Sequence, residues 1–117
     1  MAQPIFPAQY ILGRPGAGVT TGTGNWVAIA CGASLLTITT TGAGTITAGT
    51  LLIEETDALD DGSAATPAQL STLDLTTITA GKKNVAHATA GAYGFIRARL
   101  SAAVTGGGTV VVSLMGL

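Results

Sequence analysis

An alternation with a period of two governs what this chain can fold into. Across residues 93–104, Ile96, Ala98 and Leu100 fall on one side of an extended strand, with Arg97, Arg99 and Ser101 on the other. Across residues 109–115, Val110, Val112 and Leu114 share a side with Ser113 opposite. A strand patterned this way buries one face and offers the other to water or a partner. Residues 26–31, 35–41, 45–55, 69–79 and 85–89 also read as strands, rich in β-branched residues and bounded by Gly, Asn or Asp. Gly49 interrupts the 45–55 run and predicts a bulge or bend. Gly42-Ala43-Gly44 and Ala80-Gly81-Lys82-Lys83-Asn84 read as turns, and Gly106-Gly107-Gly108 is expected to join the last two strands as a hairpin. Helical periodicity is nearly absent. The exception is Thr66-Pro67-Ala68-Gln69-Leu70, where a capping residue precedes proline and predicts one helical turn.

Short strands with turns at near-regular intervals predict an all-β chain, and its 117 residues suit one core. The expected architecture is a single antiparallel β-sandwich, jelly-roll-like, spanning residues 25–117. Residues 1–24 read differently. They hold Pro4, Pro7 and Pro15 and a Gly/Thr-rich run, which predicts an extended N-terminal arm outside the core. Within it, Gln9-Tyr10-Ile11-Leu12 is suited to adding to a sheet edge, in a neighbouring subunit among the options.

Charge narrows the function classes. Charged residues make up 9% of the chain and apolar ones 47%, with a net charge of -1; an ordinary soluble domain carries about 25% charged residues. The polar surface must then come from Thr, Ser, Gly and Ala, which tolerates close neighbours and gives copies little mutual repulsion. No apolar run approaches the ~20 residues of a spanning helix, so no membrane association is expected. Met1-Ala2-Gln3-Pro4 does not open like a secretory signal, which predicts synthesis in a cytosol. Cys31 stands alone, excluding an internal disulfide, and is expected to be a small buried apolar residue.

Catalysis needs a nucleophile with a base, an acid–base pair or a metal held by several ligands. His87 is the one histidine, flanked by Ala86 and Ala88, and reads as a structural or interface residue. No enzyme activity, cofactor or metal is expected. Acidic residues gather at Glu54, Glu55, Asp57, Asp60 and Asp61, but their spacing does not match a helix-loop-helix calcium loop, and a solvated loop is the expected reading. Arg97 and Arg99 share a strand face, and a bidentate pair with that acidic loop, in the same or a neighbouring chain, is expected. Basic charge is too sparse for nucleic acid, and the Gly runs lack the helix and Lys of a phosphate cradle.

One longer pattern has a counterpart. Gly49-Thr50-Leu51-Leu52-Ile53-Glu54 leads into the Asp/Gly loop; Tyr93-Gly94-Phe95-Ile96-Arg97-Ala98-Arg99 follows, then Gly106-Gly107-Gly108 and the Thr109-Val110-Val111-Val112 strand. This succession resembles the small β-sandwich or jelly-roll virion proteins of tailed bacteriophages. The chain departs in having Leu70 and Leu73 where a Trp would follow the loop. The resemblance implies a capsid decoration, or cement, protein that binds the outside of the head and bridges capsomers. It implies partners in the major capsid protein and in other copies of this chain, a trimer being the common form, and a place on the virion surface. The alternative is a tail, baseplate or fibre module. A carbohydrate-binding tip ranks below both, because Trp26, Phe6, Phe95, Tyr10 and Tyr93 fall in strands or the arm. The residues expected at oligomer or capsid contacts are Phe6, Tyr10, Ile11, Leu12, Arg97 and Arg99.

Overall fold

A computed structural model describes residues 6–28, 35–56, 67–89 and 94–116. Among these residues eight strands form: β1 Phe6–Leu12, β2 Val27–Ala28, β3 Leu35–Ala43, β4 Ala48–Thr56, β5 Ala68–Asp74, β6 Lys83–Thr89, β7 Phe95–Thr105 and β8 Thr109–Gly116. They make two four-stranded sheets, ordered β1-β8-β3-β6 and β2-β7-β4-β5, with every pair antiparallel. The pairs β4–β5, β3–β6, β2–β7 and β1–β8 are nested, as in one long hairpin doubled about the β4–β5 link. Rolling that hairpin up adds the β3–β8 and β4–β7 ladders and separates it into two faces. This is the strand order of a jelly roll.

Alternation accounts for how the two sheets meet. In β3, Leu36, Ile38 and Thr40 point inward while Thr37, Thr39 and Thr41 point away. In β8, Val110, Val112 and Leu114 point inward, all fully buried. Leu51, Ile53, Ile96 and Ala98 answer them from the facing sheet. The described core is wholly aliphatic, and no buried side-chain polar atom among the described residues lacks a hydrogen-bond partner.

The Gly49 expectation holds: Gly49 has φ 150° and the β4–β7 register shifts on both sides of Thr50. The hairpin expectation for the last two strands does not. β7 and β8 lie in opposite sheets, and the glycines between them, with Gly106 at φ 101° and Gly107 at φ 94°, carry the chain across the sandwich. Two amphipathic strands can bury their apolar faces side by side or against each other, and alternation alone does not choose. The helical turn expected at Pro67 is instead the start of β5, whose residues complete ladder bonds with β4. The strand reading of 69–79 ends at Asp74. There the side chain accepts from the Thr76 amide at 3.0 Å and starts a short 3-10 segment, Leu75–Gly81, kinked at Ile78 and Thr79 and ending with Ala80 at φ 62°.

That segment closes one end of the sandwich. Leu75 and Ile78 are buried, the Thr79 hydroxyl accepts from the Ile46 amide at 2.8 Å, and the Ala80 amide donates to the Gly44 carbonyl at 2.9 Å. Gly42 of β3 passes directly beneath the Ile78 carbonyl, leaving no room for a Cβ. Gly42→Ala should therefore cost about 1–3 kcal/mol through overpacking, a fall in Tm of roughly 5–15 °C by calorimetry. An unchanged Tm would mean that the segment is not packed there.

The expectation of an arm outside the core is also corrected. β1 is the edge strand of the chain's own sheet, paired with β8, and Ile11 and Leu12 belong to the core. Beyond it Val19 bridges Val110, and the Thr20 and Gly22 carbonyls and the Gly24 amide bond to β7. Proline does not prevent this, because an edge strand has one side without ladder bonds. The Cys31 expectation and the acidic residues Asp57, Asp60 and Asp61 lie outside the described residues.

Candidate functional site

On the outer face of the second sheet, β4 and β7 run side by side with Glu54 opposite Arg97 and Leu52 opposite Arg99. Arg97 Nε donates to Glu54 Oε1 at 2.9 Å. Arg99 donates through Nε to Oε1 and through Nη2 to Oε2, both at 3.1 Å, in a two-pronged grip. The carboxylate retains 8% of its side-chain exposure beneath arginines retaining 21% and 35%. Burial pushes the Glu54 carboxyl up, but the hydrogen bonds from Arg99 and Arg97, with their positive charges, outweigh it and hold the carboxyl below its ordinary value. The same contact raises the Arg99 guanidinium above its usual range.

Arg97 has a second neighbour. Its Cζ lies 4.4 Å from the centre of the Trp26 ring, a cation–π contact. The chain is drawn aside locally: Val27 pairs with Ile96, yet Thr23 bridges Arg99, so the intervening stretch holds one residue more than β7 does. Gly24 lies against the Ile11 carbonyl, where a Cβ would collide with backbone, and this close approach brings the edges of the two sheets together. Above that seam opens a cleft of about 470 Å³, lined from β1 by Gln9, Tyr10, Ile11, Leu12 and Gly13 and from the other edge by Thr23, Gly24, Asn25, Trp26 and Val27.

The residues expected at contacts thus separate. Tyr10 is 56% exposed and free to meet a partner. Ile11 and Leu12 are not, since a bulge between Tyr10 and Leu12 turns both consecutive side chains inward. The backbone of Phe6 pairs with Gly116, and its side chain lies outside the described residues. Arg97 and Arg99 find their carboxylate partner within the chain, Glu54 on strand β4, gripped through two donors by Arg99 and through one by Arg97. His87 stands exposed on the edge strand β6, with Nδ1 3.3 Å from the Thr37 hydroxyl.

In the sequence Glu54 reads as one of the loop acids, and nothing there shows that Trp26, Asn25 and Gln9 meet at one cleft. The parity of 52 and 54 against 97 and 99 was the available signal for Glu54. None existed for the cleft, because the approach of Gly24 to Ile11 joins segments from opposite sheets. Among the described residues no group of three or more His, Cys, Asp or Glu is placed to hold a metal ion, and no helix is long and apolar enough to cross a membrane.

No protein-family model matches the chain, and no curated protein does. The fold and site define its class on their own: a charge-poor, eight-stranded jelly roll with a Glu–Arg–Arg–Trp cluster beside an open edge cleft.

Proposed function

We propose that this chain is a structural protein of a tailed-phage virion, a decoration protein that binds the outside of the head and works as a homo-oligomer. The observation that carries the proposal is the outer face of the β1-β8-β3-β6 sheet. Thr37, Thr39 and Thr41 run down its middle, flanked in register by Met115, Ser113 and Val111 on β8 and by His87, Val85 and Lys83 on β6. Tyr10 stands beside Ser113 at the edge. Tyr10, Val85 and Met115 are large apolar side chains left 56%, 53% and 36% exposed. Among these ten residues Lys83 alone is a Lys, Arg, Asp or Glu.

Interface cores are set apart by depletion of charge and favour Tyr and Met, and this face has one charged residue, Lys83, among the ten, with Tyr10 and Met115 exposed on it. Covering it strips water from threonine methyls and apolar side chains while leaving few charges to desolvate. The jelly roll, an architecture shared with viral capsid domains, and the sequence resemblance of β4 to β8 support the virion reading. The arm no longer supports it, since residues 6–12 serve the chain's own sheet. A tail or baseplate module is the second reading, because the same face would suit stacking in a tube.

Light scattering across micromolar concentrations should show a species heavier than 11.5 kDa, and Val85→Glu should return it to a monomer that keeps its β circular-dichroism spectrum, with a Tm lowered only by the stabilisation that association supplied. A monomer at every concentration would remove the oligomer. Mass spectrometry of purified heads and tails assigns the location, and absence from both would remove the virion reading.

A further inference from the structure

The edge cleft between β1 and the segment before β2 has the chemistry of a sugar site. Its ten lining residues include no Lys, Arg, Asp, Glu or His. They include two amides, Gln9 and Asn25, a threonine hydroxyl at Thr23, and two amphipathic aromatics, Tyr10 and Trp26. Gln9, Tyr10, Thr23 and Asn25 are exposed, so their polar groups are open to a ligand. The volume of about 470 Å³ lies in the range of small-molecule sites.

The charge cluster gives this cleft its rigidity. In a chain with five Lys and Arg and six Asp and Glu, two arginines and a glutamate are spent on one contact network, which ends on the Trp26 ring. Glu54 fixes Arg97, and Arg97 lies over one face of the indole. Arg99, fixed by the same carboxylate, lies opposite Thr23 at the other end of the wall. Such support holds an aromatic platform in place before a ligand arrives and lowers the ordering cost of binding. Two arginines on one glutamate leave the cluster one positive charge in excess, but none of the three lines the cleft, whose own side chains are uncharged.

We propose that this cleft binds a neutral pyranose residue of a glycan, with Trp26 and Tyr10 offering stacking surfaces to its C–H face and Asn25 and Gln9 pairing with its hydroxyls. Amides donate and accept at once, as vicinal hydroxyls require. With no charged side chain in its lining, the cleft offers a sialylated or sulfated sugar no direct salt bridge. The proposal is independent of whether the chain sits on the head or the tail, and it requires that Tyr10, at the edge of the proposed docking face, stay uncovered in the oligomer.

Trp26 is the sole tryptophan, so its fluorescence reports on the cleft directly. The test titrates the full chain with the methyl glycosides of glucose, galactose, mannose and N-acetylglucosamine, and with dextran. At least one should change the emission saturably, with a Kd of about 0.1–10 mM for a single sugar unit. Asn25→Ala and Tyr10→Ala should each weaken binding roughly tenfold while leaving Tm unchanged. Glu54→Gln should weaken it with all lining residues intact, which separates positioning from direct contact. No response to any probe overturns the proposal, as does a response that persists unchanged in the Tyr10→Ala, Asn25→Ala double variant. A response to sialic acid or heparin with none to the neutral sugars overturns it as well.

Discussion

Removal of residues 1–24 is expected to unfold the protein. The deletion takes away β1, its ladder with β8, the Val19–Val110 bridge and the bonds from Thr20, Gly22 and Gly24 to β7. It also strips Ile11 and Leu12 from the core, where they are 4% and 7% exposed. Each such side chain contributes about 1.5–3 kcal/mol by burial, and the exposed walls of the core add to the loss. Against a total stability of about 5–15 kcal/mol, these losses together leave little or nothing. Circular dichroism with heating should show no cooperative transition in the truncated chain. If a sharp transition persists within a few degrees of the intact protein, residues 6–24 do not serve the sandwich as the structure places them.

Glu54→Gln should be the most destabilising change on the outer surface of either sheet. The amide keeps the shape but removes the charge that both guanidinium groups share, leaving Arg97 and Arg99 side by side without a counter-ion. Breaking a fully buried pair costs about 3–5 kcal/mol. These arginines keep 21% and 35% of their exposure, so water recovers part of that, and about 1–3 kcal/mol is expected. The pH dependence has a definite sign. The folded carboxyl titrates below its unfolded value, so its stabilisation is complete above the ordinary glutamate value of about 4.3. It is lost as pH falls through the lower folded value. Chemical denaturation from pH 7 to pH 3 should show the wild type losing stability over that acid window and Glu54→Gln losing less. Parallel pH profiles would mean that Glu54 is not charged in the contact described.

What could be read from the sequence follows from where the determining contacts lie. Alternation is local, so the inward Ile96 and Ala98, the outward Arg97 and Arg99, and the β8 face of Val110, Val112 and Leu114 were all legible. Sheet membership is not local. Gly106-Gly107-Gly108 serves a hairpin or a crossover equally well, and the choice depends on which strand covers which. Residues 1–24 misled because prolines and glycines argue for an arm, whereas the burial of Ile11 and Leu12 depends on a bulge against β8, about a hundred positions away in sequence. Arg97 and Arg99 were recognised as one carboxylate-binding face. Their partner was sought in the loop because Glu54 opens a run of acids, and its own alternation with Leu52 was outweighed.

The nested strand order has a consequence for how the chain comes to be folded. The first of the described strands is paired with the last of them: β1 cannot complete its ladder until β8, starting at Thr109, has left the ribosome. At synthesis rates of about 5–20 residues per second, that is a wait of several seconds with Ile11 and Leu12 exposed. Only β4 and β5 can pair soon after synthesis, and each later pairing closes a longer loop. The outer face of the β1-β8-β3-β6 sheet therefore forms only once β8 is out, so a nascent chain that stops short of Thr109 does not present the surface proposed to dock. If copies dock through that face, as proposed, concentrated synthesis on one message does not by itself assemble them early. Of the strands left waiting, β1 waits longest, and Pro7, which cannot donate a ladder hydrogen bond, makes it a poor template for a neighbour's strand.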